Sequence, residues 1–382
     1  MTAHSTPYPR RNLDFLLFGS TLILVVVGLL MVVDSSYVQE LNHNKAIFHF
    51  LGKQATGAII GLAAMLLIMR VGYWRLRAVA FPLAVVGVLL LFACFIPHIG
   101  YSENNATRWI GTKSIHLQPS EFAKLFLIIY VAKLLSLPRA KPRRGENALL
   151  LWLGPPLAIM AIYVVLIERE PDLGTAAVLF LAVMVQLFLA GVRKRHLAII
   201  LGVTAMCAIL FVSVFQHRGH RIETFLHPER DPQGRGFQMT HATLAVASGE
   251  WLGMGWGRGR EKYYLPEANS DFVFATMAEE LGFVGVLPVI GLLVIVGVRG
   301  FMIAQRARDR FGALLAGGLT ALISWQALIN MGVATGSIPA TGVPLPFISY
   351  GSSSLVMLLA SIGVLLSISQ HPAPPGQPAS DR

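Results

Sequence analysis

Apolar residues gather in long blocks along this chain, separated by short polar stretches. Ten blocks long enough to cross a bilayer can be drawn, near 13–33, 50–69, 76–96, 119–137, 148–167, 171–191, 197–215, 272–298, 311–334 and 352–369. Roughly 20 apolar residues suffice for one helical crossing. The pattern predicts an all-α polytopic membrane protein of about ten transmembrane helices. The polar stretches between them are short except near 216–271, where one large extracytoplasmic loop is expected between helices 7 and 8.

Composition supports that picture. Of 382 residues, 54% are hydrophobic and 13% charged, too little charge to coat a soluble domain. The first block is too long for a signal-peptide core, and no small-residue cleavage site follows it. Cys94 and Cys207 lie inside apolar blocks and read as buried small hydrophobes, not a disulfide or metal framework. The net charge of +11 would suit nucleic acid only if it formed a patch. It is instead spread over Arg10 and Arg11, over Arg70, Arg75 and Arg77, and over "RAKPRR" at 139–144, "RKR" at 193–195 and "RARDR" at 306–310. With ten alternating helices these clusters share one side, and the positive-inside rule makes that side, with both termini, cytoplasmic. No internal repeat is visible. Residues 1–12 form a cytoplasmic N-terminus, 13–369 one membrane domain, and the Pro-rich 370–382 a disordered cytoplasmic tail.

The long loop breaks the charge trend. It holds Arg218, Arg221, Arg230, Arg235, Arg258, Arg260 and Lys262, which suggests an anionic ligand. Glu223, Glu229, Asp231, Glu250, Glu261 and Glu267 share the loop, so mutual neutralisation is the competing reading.

Four segments could carry chemistry. "YYLPEANSDFVFATMAEELGF" (263–283) concentrates Glu267, Asp271, Glu279 and Glu280 at the mouth of an apolar block. Ser270 or Asp271 is placed to cap the helix that follows, which alone would explain an aspartate. Glu279 and Glu280 fall two turns into a membrane helix, where a charge usually faces a partner or a wet cavity. At about 100° per residue Glu279 lies about 80° from Asp271 and Glu280 about 180°, so one helix cannot aim all three at one site. "RWIGTKSIHLQPSEFAKL" (108–125) sets Pro119 at a helix start with Glu121 and Lys124 on one face. That is either a local ion pair or a lysine held at a cavity rim for phosphate. "EREPDLGT" (168–175) places Asp172 in a first turn, as the helix dipole favours. "GSIPATGVPLPFISYGSSS" (336–354) is too rich in Pro, Gly and Ser for a helix and is expected as a re-entrant or rim segment. The glycines of "GMGWGRG" (253–259) follow no strand, so a dinucleotide fold is rejected. "HRGHR" (217–221) lacks a third zinc ligand nearby.

Together "RWI", "LQPSEFAKL", "PDLGT", "ASGEWLGMGWG", "KYYLPEANSDFVFATMAEELGF" and "IPATGVPLPFISYGSSS" resemble, in order and across about 12–369, the SEDS family of FtsW, RodA and SpoVE. "YLPEA" and the "GMGWG" loop look more like the division and sporulation members, and "ATGVPLPF" more like the elongation members. The resemblance implies a peptidoglycan glycosyltransferase of the bacterial cytoplasmic membrane. Such an enzyme polymerises lipid II onto a growing glycan at the outer face and works with a class B penicillin-binding protein and other divisome or elongasome proteins. The family's catalytic aspartate aligns with Asp271, and Arg108, Ser120, Glu121, Lys124, Lys262 and Ser349 become candidate substrate-binding residues. Arg108, Lys124 and Lys262 would meet the pyrophosphate, with Glu121 positioning Lys124. A magnesium or manganese ion bridging Asp271 and the pyrophosphate is a candidate cofactor. The chain departs from the family pattern at Asn269-Ser270, where His-Thr is usual, and at Thr107, Glu250 and Ser352. From another functional class, a lipid II flippase would also suit Glu279, Glu280 and the broken 336–351 stretch. The polar residues gather on the outer side, however, and a transport path needs both.

Overall fold

The computed structural model describes residues 13–42, 49–103, 106–111, 116–137, 147–214, 223–231 and 234–373. Arg10, Arg11, the 139–144 cluster, Arg218, Arg221, the "HRGHR" motif and the tail beyond 373 lie outside the described residues. Among the described residues, helices of 17 residues or more fall on the apolar blocks: α1 Phe15–Asn42, α2 His49–Val71, α3 Trp74–Ala93, α4 Pro119–Ser136, α5 Asn147–Arg169, α6 Leu173–Leu189, α7 Lys194–Val214, α9 Val273–Arg306, α10 Arg310–Ala334 and α11 Ser352–Ser369. Among the described residues seven are long and apolar enough to cross a membrane, namely α1, α2, α3, α5, α9, α10 and α11. Helix α4 carries Glu121, Lys124 and Lys133, and α6 is a shorter apolar helix. This is a multi-pass membrane protein.

Helices α4, α10 and α11 form the centre, and most of their residues are buried. Helix α2 packs along α11, α3 along α4, and both α6 and α9 pack against α10. Apolar side chains gain little from leaving lipid for one another, so interhelical polar contacts help fix the register. Gln186 of α6 does this: its amide donates to the Ile128 carbonyl on α4 (3.0 Å) and the Leu314 carbonyl on α10 (3.2 Å).

At the end of the bundle that carries the short basic stretches, acids cap and tie helices. Asp14 accepts from Leu17 N–H at the start of α1 and forms an ion pair with Arg299 of α9 at 2.6 Å. Asp309 caps α10 and accepts from the Tyr73 hydroxyl. The start of the tail is pinned here as well: Pro372 bridges to Ala307, and Ala373 N–H donates to the Arg306 carbonyl. Within the segment expected as a tail from 370 on, the described residues 370–373 are therefore tied to the helix ends.

The opposite end is more structured than expected. A three-stranded antiparallel sheet, β1 Gly100–Glu103, β2 Ala106–Gly111 and β3 His116–Leu117, fills the link between α3 and α4. The segment read as one large loop contains α8 Arg235–Ser248, an amphipathic 14-residue helix, with 3-10 turns at Pro228–Arg230 and Glu261–Tyr263. The 336–351 segment is non-helical, as its composition implied.

Candidate functional site

The site is assembled by three non-helical corners on this sheet-bearing end. The first is β2. Its register with β1 pairs Tyr101 with Trp109 and Ser102 with Thr107, which leaves Arg108 as the extra residue of a β-bulge. A bulge re-aims a side chain out of the alternation of its strand. The Arg108 guanidinium reaches the second corner, between α5 and α6. There Nε donates to the Glu170 carbonyl (3.0 Å) and Nη2 to the Pro171 carbonyl (2.5 Å). Asp172, next in that corner, is buried and caps α6 by accepting from Thr175 N–H at 3.1 Å.

The third corner is the turn ending at Asp271, backed by the 341–351 segment. Asn330 of α10 donates to the Asp271 carbonyl (2.9 Å) and the Val343 carbonyl (2.8 Å). Ser349 Oγ donates to the Ser270 carbonyl (2.5 Å) and accepts from Leu345 N–H (2.8 Å). Tyr350 N–H donates to the Asn269 carbonyl, and the buried Asn269 amide donates to Ser36 on α1. Asn269 and Ser349 thus hold the turn. Asp271 itself caps nothing: helix α9 starts at Val273 with Phe272 at its N-cap and no side-chain cap.

The Asp271 carboxylate is half-buried, and no hydrogen bond to it is recorded among the described residues. It faces Gly342, whose φ is +71°; a β-carbon there would lie 3.2 Å from Asp271 Oδ2 and 3.9 Å from Arg108 Nη1. Gly342 therefore leaves open the space between acid and guanidinium. Burial, together with the charges of Glu267 and Asp172, pushes the Asp271 pKa up to about 7, against the pull of Arg108. A carboxylate unspent on the fold, poised near neutral pH and opposite a fixed cation can accept a proton while an anion gathers beside it.

The family model described as "Cell cycle protein" matches residues 14–373. The chain belongs to the FtsW/RodA/SpoVE family. Stage V sporulation protein E of Bacillus subtilis is 39% identical over 360 residues, covering 94% of this chain and 97% of that protein. The probable peptidoglycan glycosyltransferase FtsW of Geobacter metallireducens is 36% identical over 357 residues, covering 93% and 94%. Among solved structures, a chain of a peptidoglycan synthase complex that coordinates polymerization and crosslinking superposes with TM-score 0.76 at 29% identity, covering 94% of this chain and 97% of that one. The rod shape determining protein RodA of Thermus thermophilus gives TM-score 0.68 at 27% identity, covering 94% and 96%.

Of the residues that the family resemblance singled out, Asp271 and Arg108 face one space at Gly342, with Ser349 behind the turn. Glu121 and Lys124 pair at 2.8 Å, but inside the bundle, both nearly inaccessible. Lys124 also reaches Gln326 of α10 (3.4 Å), whose amide donates to the Pro344 carbonyl. This pair therefore connects to the 341–351 segment through Gln326 and is not at an open rim. Ser120, on the same helix, is fully buried.

Lys262 goes elsewhere. Its ammonium is 5% exposed and donates to Asp34 Oδ1 of α1 and Glu280 Oε1 of α9, both at 2.7 Å. Burial opposes the charge, yet these two carboxylates outweigh it and hold the Lys262 pKa above the ordinary lysine value. The ammonium, buried and paired with two carboxylates, anchors the loop and is closed to a soluble pyrophosphate. Glu279 and Glu280 complete that anchor. Glu280 accepts from Gly257 and Gly259 N–H (2.9 and 3.1 Å), and Glu279 from Arg260 and Glu261 N–H (2.7 and 3.2 Å).

Helix α9 breaks just beyond, at Gly282 (φ +65°, ψ −176°). The freed backbone pairs with the incoming loop, Phe283 N–H to the Glu250 carbonyl and Met254 N–H to the Glu279 carbonyl. Irregular backbone at membrane depth is tolerated only with such partners.

The sequence reading missed Asn330 and Gln326. Their signal was present, as two amides one helical turn apart on an otherwise apolar block. No group of three His, Cys, Asp or Glu side chains able to hold a metal occurs among the described residues.

Proposed function

We propose that this protein is a peptidoglycan glycosyltransferase that polymerises lipid II at the outer face of the bacterial cytoplasmic membrane. The observation that carries the reading is the Asp271 carboxylate, left without a hydrogen bond, opposite Arg108 and across the gap kept by Gly342. The family membership and the glycosyltransferase names of its relatives support the substrate class.

In the proposed step the 4-hydroxyl of one lipid-linked disaccharide attacks the anomeric carbon of the growing chain. The new O4–C1 bond forms as the C1–O bond to undecaprenyl pyrophosphate breaks. An alcohol is a weak nucleophile, so its proton passes to Asp271, which must lie within about 3 Å of it. One displacement inverts an α-linked donor to a β-linked glycan and needs no covalent intermediate. Arg108 is the cation beside the leaving pyrophosphate, its orientation fixed by the Glu170 and Pro171 carbonyls. A divalent cation would meet Asp271 and the pyrophosphate oxygens. Among the described residues no group of three His, Cys, Asp or Glu side chains stands ready to hold it, so Asp271 would be its one protein carboxylate. The sheet-bearing end is the outer one in this reading, which leaves the Arg75, Arg77, 193–195 and 306–310 basic residues on the cytoplasmic side. The proposed partner is a class B penicillin-binding protein, the crosslinking half of a synthase pair.

The test is polymerisation from labelled lipid II by the purified chain with its transpeptidase. Glycan polymer is the expected result. Transbilayer movement of lipid II in vesicles without any polymer would overturn the assignment in favour of a flippase.

A further inference from the structure

Glu170 has no place in the step above, and its surroundings are unusual. It is 0% exposed at the corner between α5 and α6, and neither carboxyl oxygen receives a hydrogen bond from nitrogen or hydroxyl. The thiol of Cys94, a weak donor, faces it from the end of α3. On either side of it in sequence, Arg169 and Pro171 line a cavity of about 440 Å³, together with Cys94, Gly100 and Thr107. Its backbone carbonyl is one of the two that fix Arg108.

A buried carboxylate without hydrogen bonds is costly, whereas the neutral acid carries no such charge penalty. We propose that Glu170 is a positioning residue that works as its neutral acid. In that form it lets the 170–172 corner hold Arg108 toward Asp271, and ionisation would make it compete for Arg108. This rests on the reading of Asp271 and Arg108 given above.

The charges around Glu170 decide the sign. Arg108 from β2 and the Cys94 thiol from the end of α3 favour its ionised form, and Asp172 at the start of α6 opposes it. Burial outweighs them and pushes the pKa to about 8. Neutral below that value, Glu170 acquires its charge as pH rises through it. A new anion there interacts with Arg108 and adds to the negative charge of Asp172. Arg108 is then drawn between two acids, and its support of a leaving pyrophosphate falls.

Glutamine copies the shape of the neutral acid and cannot ionise. Glu170→Gln should keep polymerisation within about threefold of wild type at neutral pH and lose the decline on the alkaline side. Glu170→Ala should be impaired at every pH. Cys94→Ala removes a donor to the charged form and should move the alkaline decline to higher pH. An assay-independent readout is the infrared carbonyl band of protonated carboxylic acids, recorded on the full chain in nanodiscs across the same pH range. A band component that titrates near pH 8 and is missing in Glu170→Gln is the expected result. Equal impairment of Glu170→Gln and Glu170→Ala, or identical protonated-acid bands in wild type and Glu170→Gln, would overturn the proposal. If wild type makes no polymer, the glycosyltransferase reading fails, while the infrared comparison still decides whether Glu170 is neutral.

Discussion

Asp271 and the Glu279–Glu280 pair lie on one short stretch of chain and are opposite in design. Both glutamates are fully engaged: backbone N–H groups of the 257–261 loop and the Lys262 ammonium satisfy them. Asp271 is held by its backbone alone, through Asn330, and its carboxylate is left over. An acid whose oxygens are all engaged builds structure. An acid kept free at a cost in desolvation is available for chemistry. The acids crowded at the mouth of this apolar block therefore divide into an anchor for the outer loop and a candidate base.

The comparison can be broken at either end. The largest effect is expected from Asp271→Asn. Losing a general base costs about 10²–10⁴-fold in rate. Stability should not fall, because a carboxyl whose pKa is raised to about 7 burdens the fold at neutral pH and the amide does not. Polymerisation rate and melting temperature, measured on the same preparation, check both halves.

Lys262→Met should do the reverse. It strands Asp34 and Glu280 as buried, unpaired carboxylates, at a cost of about 3–5 kcal/mol. Thermal unfolding in detergent reports that loss, and the activity remaining should track the folded fraction.

Gly342→Ala falls between the two. A left-handed φ of +71° costs a β-carbon about 1–2 kcal/mol. The added methyl also presses on the Asp271 carboxylate, so the rate should fall further than stability implies, by up to about 100-fold. Comparing the rate per folded molecule with wild type separates the two effects.

The smallest effect is the pH dependence. Asp271 acts as a base only when ionised, so the rate should fall tenfold per unit as pH drops below about 7. Stability moves the other way: the elevated pKa of Asp271 favours the fold at low pH, and that contribution is lost as pH rises toward 7. A flat acid side in the rate profile would place the base elsewhere.

The helical frame was legible because helices follow from the length and hydropathy of apolar blocks; among the described residues the blocks are helical, and seven of the helices are long and apolar enough to cross a membrane. The sheet was not. Its strands are short and bulged at Arg108, too brief to show an alternation that can be read. Asp271 could be singled out by family resemblance, but its freedom from capping could not, since its residue type suits a cap equally well. The partner of Lys262 was beyond local reading: Asp34 is 228 positions away in sequence, and only the packing of α1 against the loop brings them together. Position within an outer loop suggested an anion site, and burial made the lysine an anchor instead.

The most direct test puts Asp271→Asn and Lys262→Met side by side, with lipid II polymerisation and thermal unfolding measured on each. The account predicts a double dissociation. Asp271→Asn should melt no lower than wild type and polymerise at least about 100-fold more slowly, and Lys262→Met should melt early and still polymerise in proportion to its folded fraction. Polymer from Asp271→Asn at the wild-type rate would contradict the account, and so would an inactive Lys262→Met that melts like wild type.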